Sequence, residues 1–314
     1  MAIGHAQARQ WPGVVALVIC CALWSLNGPL IKLLNEQHVP GVTVACFRSL
    51  IGGLVFLPFA WGQRGQLRKV SAAWPIGSVL MFTLMTVSFV ISTMMTTAAN
   101  AIILQNTSAI WVFLLAPLLL KEKPGRVEGL VLLLAMAGIA VIFFGGRETG
   151  LTGLVIALIS GFGYGALIIM LRGLRSVNAL VVTAMNSLGS GLLLIVPTLI
   201  WGTVLLSPRG WALILTLSLV QFTLPYMLFS WGLQRVEAHR AALIVLLETV
   251  LNPIWTFLLV GERVGTPTLI GGPLILLGVA GWLLLSARQR SPAHQRQAED
   301  SSQERRNAGA MPKL

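Results

Sequence analysis

Ten apolar stretches of roughly bilayer length, joined by short polar connections, constrain this chain more than anything else in it. Their limits fall near 12–34, 40–61, 73–95, 97–120, 127–145, 150–172, 177–201, 210–232, 240–260 and 266–286. About 20 apolar residues in an α-helix cross the hydrocarbon core. No water is there to satisfy a backbone left unpaired, so only helices and closed barrels can span it. Of the 314 residues, 56% are hydrophobic and only 10% are charged, against about 25% charged in soluble domains. The expectation is an all-α integral membrane protein of ten transmembrane helices, with no room between them for a soluble domain. The first stretch has no polar break and no small-residue cleavage site, so it reads as a retained span rather than a signal peptide.

The net charge of +12 could point to nucleic acid, but its placement does not. With the N-terminus in the cytoplasm, 17 of the 22 basic residues fall on inside segments and only Arg147, Arg209 and Arg263 on outside loops. Lys32 and Arg48 lie within spans. That bias predicts both termini inside. A polar, Arg-rich tail from 287 to 314 is expected to be disordered. Cys20, Cys21 and Cys46 all lie in apolar runs and read as small core residues.

The chain also repeats itself. At a shift of 140 residues Ala101 meets Ala241, Glu122 meets Glu262, Gly125 meets Gly265 and Gly138 meets Gly278. Lys32 meets Arg172 at the same shift, and at 139 Gly52 meets Gly191 and Pro58 meets Pro197. Leu and Ala coincide by chance in any apolar sequence; matched Gly, Pro and Glu do not. The organisation expected is residues 1–11 as a cytoplasmic start, 12–145 as a first five-helix repeat, and 150–286 as a second. Five spans per half force the second to be inverted. Inverted repeats of this kind belong to secondary transporters, whose sites lie between the repeats near the midplane.

Glu248 is the sharpest site candidate. It lies near the middle of the ninth span, in LLETVLNPIW, with Asn252 one turn on and Pro253 after it. Proline has no N–H, so the carbonyl of Thr249 loses its helical partner. Ionisable groups at such depth are costly and usually functional. Glu248 could load and release a proton, or hold a substrate ammonium group; the bland reading is a structural hydrogen bond or an ion pair with Arg48. Arg48, in the second span, is read as a structural charge or a snorkelling head group. Gln105 and Ser108 share a face of the fourth span, and Ser108 is the repeat partner of Glu248. Neutral helix–helix bonding explains them equally well. Trp24 and Asn27 in the first span, Tyr164 in the sixth, and Gln221 and Tyr226 in the eighth would complete an amphipathic small-molecule pocket. Lys32, Arg172, Glu122 and Glu262 sit at span ends, where capping or anchoring suffices.

The order of these features, with ALWSLNGPLIK in the first span, CFRSLIGGLVFLP in the second, and the LLLKEKPG and LLVGERVG ends of the fourth and ninth, resembles the drug/metabolite transporter superfamily. Within it the chain resembles the EamA-type bacterial exporters over nearly its whole length. The resemblance implies a proton- or solute-coupled carrier of the bacterial inner membrane that exports amino acids or other small metabolites. It also implies a central cavity lined mainly by spans 1, 3, 4, 6, 8 and 9. One departure is Lys121, where the second repeat has Gly261.

Rival functions find less support. The phosphate-loop pattern GxxxxGK[ST] is absent, so ATP drive is not expected within this chain. No His/Cys/Asp cluster suggests a metal, a cofactor or nucleophilic catalysis, so an integral-membrane enzyme is disfavoured. A nucleotide sugar or other phosphate-bearing solute would want several deep basic groups, and the spans offer Arg48 and little else. The partners expected are a small-molecule substrate, protons and the lipid bilayer, not nucleic acid, with the protein acting as a monomer.

Overall fold

A computed structural model of the chain describes residues 2–108, 110–112, 114, 115, 126–145, 150–233 and 238–289. Lys121, Glu122 and the tail from residue 290 lie outside the described residues. The helices are α1 (Ala2–Trp24), α2 (Asn27–Glu36), α3 (Gly41–Trp61), α4 (Ala73–Met95), α5 (Ala98–Gln105) and α6 (Arg126–Gly145). The second half adds α7 (Leu151–Gly173), α8 (Ala179–Trp201), α9 (Pro208–Leu215), a π-helical segment (Thr216–Thr223), α10 (Leu224–Leu233), α11 (Ala238–Val260) and α12 (Thr266–Gln289). No strand occurs among the described residues.

Among the described residues six helical stretches are long and apolar enough to cross a bilayer: Trp11–Glu36, Gly41–Trp61, Ala73–Met95, Leu151–Gly173, Ala179–Trp201 and Pro208–Phe229. Shorter apolar helices join them at Met136–Gly145, Leu247–Val260 and Thr266–Gly278. Large apolar side chains such as Leu199, Trp201 and Leu205 cover the outside. Small polar ones are buried between helices, as where Ser78 Oγ donates to Asn186 Oδ1 at 2.9 Å. An apolar exterior around a partly polar interior is what lipid, rather than water, selects. The chain is a multi-pass membrane protein.

Packing follows the sequence repeat. α3 lies along α8, α4 along α7, α6 along α12, and α1 along α10 and α11, while α5 contacts α7 and α11. Exchanging the two halves turns the pairing of third and sixth spans into that of eighth and first. It returns the second–seventh, fourth–ninth and fifth–tenth pairs to themselves. Glycines let some of these backbones touch. A Cβ on Gly138 of α6 would stand 2.5 Å from the carbonyl oxygen of Gly271 on α12, the close packing expected of small residues in membranes.

Three spans depart from the continuous helices expected of them, each for a local reason. The first, expected unbroken over 12–34, is interrupted at Ser25 and Leu26. Pro29 has no N–H for the Ser25 carbonyl and its ring crowds that oxygen. The fourth, expected over 97–120, breaks after Gln105. There Asn106 Nδ2 donates to the Ile102 carbonyl at 2.8 Å and Thr107 Oγ1 to that of Leu104 at 2.6 Å. Such side-chain bonds compete with the helical ladder. In the eighth, Pro225 withdraws the partner of the Gln221 carbonyl and the turns before it widen to π geometry, with Thr223 Oγ1 donating to the Ser218 carbonyl at 2.8 Å. By contrast α11 runs without interruption past Pro253. α12 continues to Gln289, three residues past the boundary expected at 286.

Candidate functional site

The interrupted first span lies at the centre of the candidate site. Gln221, in the π segment, donates from Nε2 to the carbonyl of Trp24, the last residue of α1, at 3.1 Å. Across the break, Asn27 opens α2 and accepts at Oδ1 from Arg48 of α3 at 3.1 Å. Gly28 lies directly against α11, where a Cβ would stand 2.5 Å from Asn252 Oδ1 and 2.8 Å from Thr256 Oγ1. Four of the expected residues, Trp24, Asn27, Gln221 and Asn252, therefore meet at this one interruption.

An aromatic floor adjoins it. Trp24 lies edge-on to Tyr226, with ring centroids 5.2 Å apart, and Tyr226 lies 5.0 Å from Phe222. The guanidinium carbon of Arg48 stands 5.5 Å from the Phe222 ring centre, a cation–π arrangement. Tyr164 packs into the same cluster from α7. Sequence reasoning missed Phe222, which looked like one more apolar residue. Its position next to Gln221 and one turn before Tyr226 was the available signal.

Glu248 is half-buried on α11. Its carboxylate forms no hydrogen bond, and no ion pair within 4.0 Å, among the described residues. It lies within electrostatic reach of Arg48, Tyr164 and Tyr226. The direct pairing of Glu248 with Arg48 that would make both inert is thus absent. Arg48 is 5% exposed, and its Nε has no partner. A snorkelling head group, one of the two roles expected of Arg48, would reach water; Arg48 points inward instead.

Gln105 and Ser108 have other surroundings. Gln105 Nε2 donates to Ser160 Oγ of α7 at 2.8 Å, and Ser160 Oγ donates on to the Met85 carbonyl of α4 at 3.1 Å. That chain ties three helices together. Ser108 is buried, and a Cβ on Gly165 would stand 2.7 Å from its carbonyl oxygen. Next to them Asn106 Nδ2 reaches Thr249 Oγ1 at 2.9 Å, a link between the fourth and ninth spans beside Glu248.

At one end of the bundle Lys32 Nζ pairs with Glu262 Oε2 at 2.6 Å and donates to the Thr96 carbonyl at 2.7 Å. Glu262 Oε1 also accepts from the Ala98 N–H at 2.8 Å. A carboxylate at the N-terminus of α5 satisfies a free N–H and opposes the helix dipole. Lys32 and Glu262 are accounted for as a structural tie.

Known proteins resemble this chain along most of its length. The chain is 25% identical over 291 residues to the uncharacterized transporter YwfM of Bacillus subtilis, covering 90% of this chain and 95% of that protein. It is also 25% identical over 269 residues to an uncharacterized transporter of Archaeoglobus fulgidus, covering 85% and 94%. One solved crystal structure superposes with a TM-score of 0.60 at 18% identity, covering 91% of this chain and 99% of the other, which shows a common fold. The sequence pattern of the EamA-like transporter family matches residues 11–144 and then again residues 151–284. With both halves matching in turn, the chain belongs to the EamA-like transporter family.

Proposed function

We infer that this transporter is a secondary active carrier for a small zwitterionic or neutral amphipathic metabolite of the amino-acid kind. It works by alternating access between two inverted repeats and exports its substrate across the bacterial inner membrane, with both termini in the cytoplasm. The observation that carries the reading is Glu248: a half-buried carboxylate, with no bonding partner among the described residues, within electrostatic reach of Tyr164, Tyr226 and the Arg48 cation. A charge so placed costs energy until it takes a proton or meets a cationic substrate group. Either event favours one conformation over the other by differential binding, which is all that a coupled cycle requires. Trp24, Tyr164 and Tyr226 supply the apolar faces that suit an amphipathic solute.

The phosphate-bearing alternative is weaker on this geometry. Arg48 is the buried basic side chain among the described residues, and Lys32 is engaged by Glu262. An enzymatic reading is weaker because the relatives this chain matches are named transporters.

Reconstituted vesicles test the reading. With a panel of amino acids inside or outside, a pH gradient should accelerate flux of at least one of them, and Glu248→Gln should abolish that acceleration while leaving the protein folded. Cysteines placed at 24, 164 and 226 should react with a small water-soluble thiol reagent, and a transported solute should protect them. Absence of flux for every amino acid, or wild-type pH dependence in Glu248→Gln, removes the reading.

A further inference from the structure

We propose that Arg48, with the interrupted first span beside it, is the receptor for the substrate's carboxylate, and so the opposite pole to Glu248. This deepens the amino-acid reading above and rests on it for the identity of the solute. Arg48 is 5% exposed and has no acidic group within 4.0 Å among the described residues. One neutral hydrogen bond to Asn27 and the face of Phe222 are what hold it. A buried cation is strongly disfavoured without an anion and a full set of hydrogen bonds. Its Nε is left without an acceptor. The guanidinium fork therefore has donors to offer a carboxylate, which it can take in bidentate fashion.

The surroundings point the same way. Asn27, on which Arg48 rests, is the first residue of α2, the positive end of that helix's dipole. Interrupted membrane helices aim such ends at anionic substrate groups. Asn252 faces this helix start at Gly28, is 0% exposed, and leaves both side-chain amide atoms unpartnered. Gln221, bonded to the other side of the break, is 3% exposed with Oε1 unpartnered. Buried polar atoms in a native protein are satisfied, so three such side chains around one helix start mark a place where a polar ligand completes the set. The opposite charges of Arg48 and Glu248 sense each other but do not touch. A zwitterion set between them satisfies both, carboxylate to Arg48 and ammonium to Glu248, with its side chain against Trp24 and Tyr226. A purely structural Arg48 would only tie α3 to α2, a task glutamine at the same place could share.

The test uses the full-length protein in detergent and four probes of one shape: L-phenylalanine, L-phenylalaninamide, 3-phenylpropanoate and phenethylamine. Binding is read by tryptophan fluorescence and by the melting temperature. Wild type should bind phenylalanine roughly thirtyfold or more tightly than its amide, the scale expected when a buried charged partner is removed. Arg48→Gln should erase that preference and the binding of 3-phenylpropanoate, yet leave phenethylamine unchanged, whereas Glu248→Gln should weaken phenethylamine. Arg48→Lys should keep a fraction of the preference. A wild-type protein indifferent to the carboxylate, or a monodisperse Arg48→Gln that keeps the preference, overturns the proposal. If Arg48→Gln does not fold, the four probes on wild type and Arg48→Lys decide the matter alone. Carboxylate preference without transport of any amino acid would leave the Arg48 site standing and remove the amino-acid reading instead.

Discussion

The two halves of this transporter share a sequence pattern but treat their central helices differently. In the first half the first and fourth spans are interrupted, at Ser25–Leu26 and at Asn106–Thr107. In the second half their counterparts, α7 and α11, run through. At the repeat shift Pro29 faces Ile169, and Asn106 and Thr107 face Leu246 and Leu247. The substitutions that interrupt the first half are simply missing from the second. The charges diverge in the same manner. Arg48 corresponds to Ser187 and Glu248 to Ser108, so each half carries one ionisable group where the other has serine. Duplication supplied the two-fold frame, and divergence made it polar from one side to the other. A symmetric pocket cannot tell the two ends of a zwitterion apart; a basic group from one half and a carboxyl group from the other are what the proposed site would use to do so.

The contrast can be broken at several points. The largest effect is expected from Glu248→Gln, which gives the second half a neutral polar group as the first half has. Flux driven by a pH gradient should fall by about tenfold or more, within the usual span of coupling energies, while flux without the gradient survives in part. Next is Pro29→Ile, which gives the first span the residue that α7 carries. The N–H restored to the Ser25 carbonyl should join α1 and α2, visible as slowed amide exchange across residues 25–29, and transport should drop several-fold as the helix start is lost. Gly138→Ala tests a packing contact common to both halves. Its Cβ would meet the Gly271 backbone, so stability should fall by about 1–3 kcal/mol, read from the melting temperature. Glu262→Gln loses the ion pair of Lys32 and weakens the α5 cap. About 1 kcal/mol is expected, with a smaller shift in 0.5 M salt than in dilute buffer.

Hydropathy and the repeat made much of the fold legible. Matched Gly and Glu at a constant offset pointed to two repeats, and the family pattern matches twice, over residues 11–144 and 151–284. Glu248 stood out because depth alone makes a carboxylate conspicuous. The interruptions were harder to see. Pro29 lies four residues after the carbonyl it displaces, inside a run that is otherwise evenly apolar, and Asn106 acts through hydrogen bonds to Ile102 and Thr249 that no linear pattern contains. The snorkelling alternative for Arg48 failed for a related reason. Position along a span gives depth but not direction, and direction comes from α3 lying against the π segment that carries Phe222. Gln105 had the right residue type for a ligand contact, yet its nearest polar neighbour is Ser160 of the structural tie.

The π segment at Thr216–Thr223 has a consequence for how this protein tolerates change. A π turn takes up one residue more than an α turn, and each residue of an α-helix advances its side chains by about 100°. Everything after Thr223 is thus phased by that additional residue, including Tyr226, which meets Trp24, and Phe229, whose ring lies 5.2 Å from the same indole. Loss of one residue between 216 and 220 would let the helix close into ordinary α geometry with better hydrogen bonds. Tyr226 and Phe229 would keep facing the first span, because the wide turn closes as the residue it took up is lost. Forcing α geometry on the segment with every residue kept would instead swing both rings about a quarter turn away. The eighth span is therefore the place where a single deletion would leave a regular helix and an intact floor.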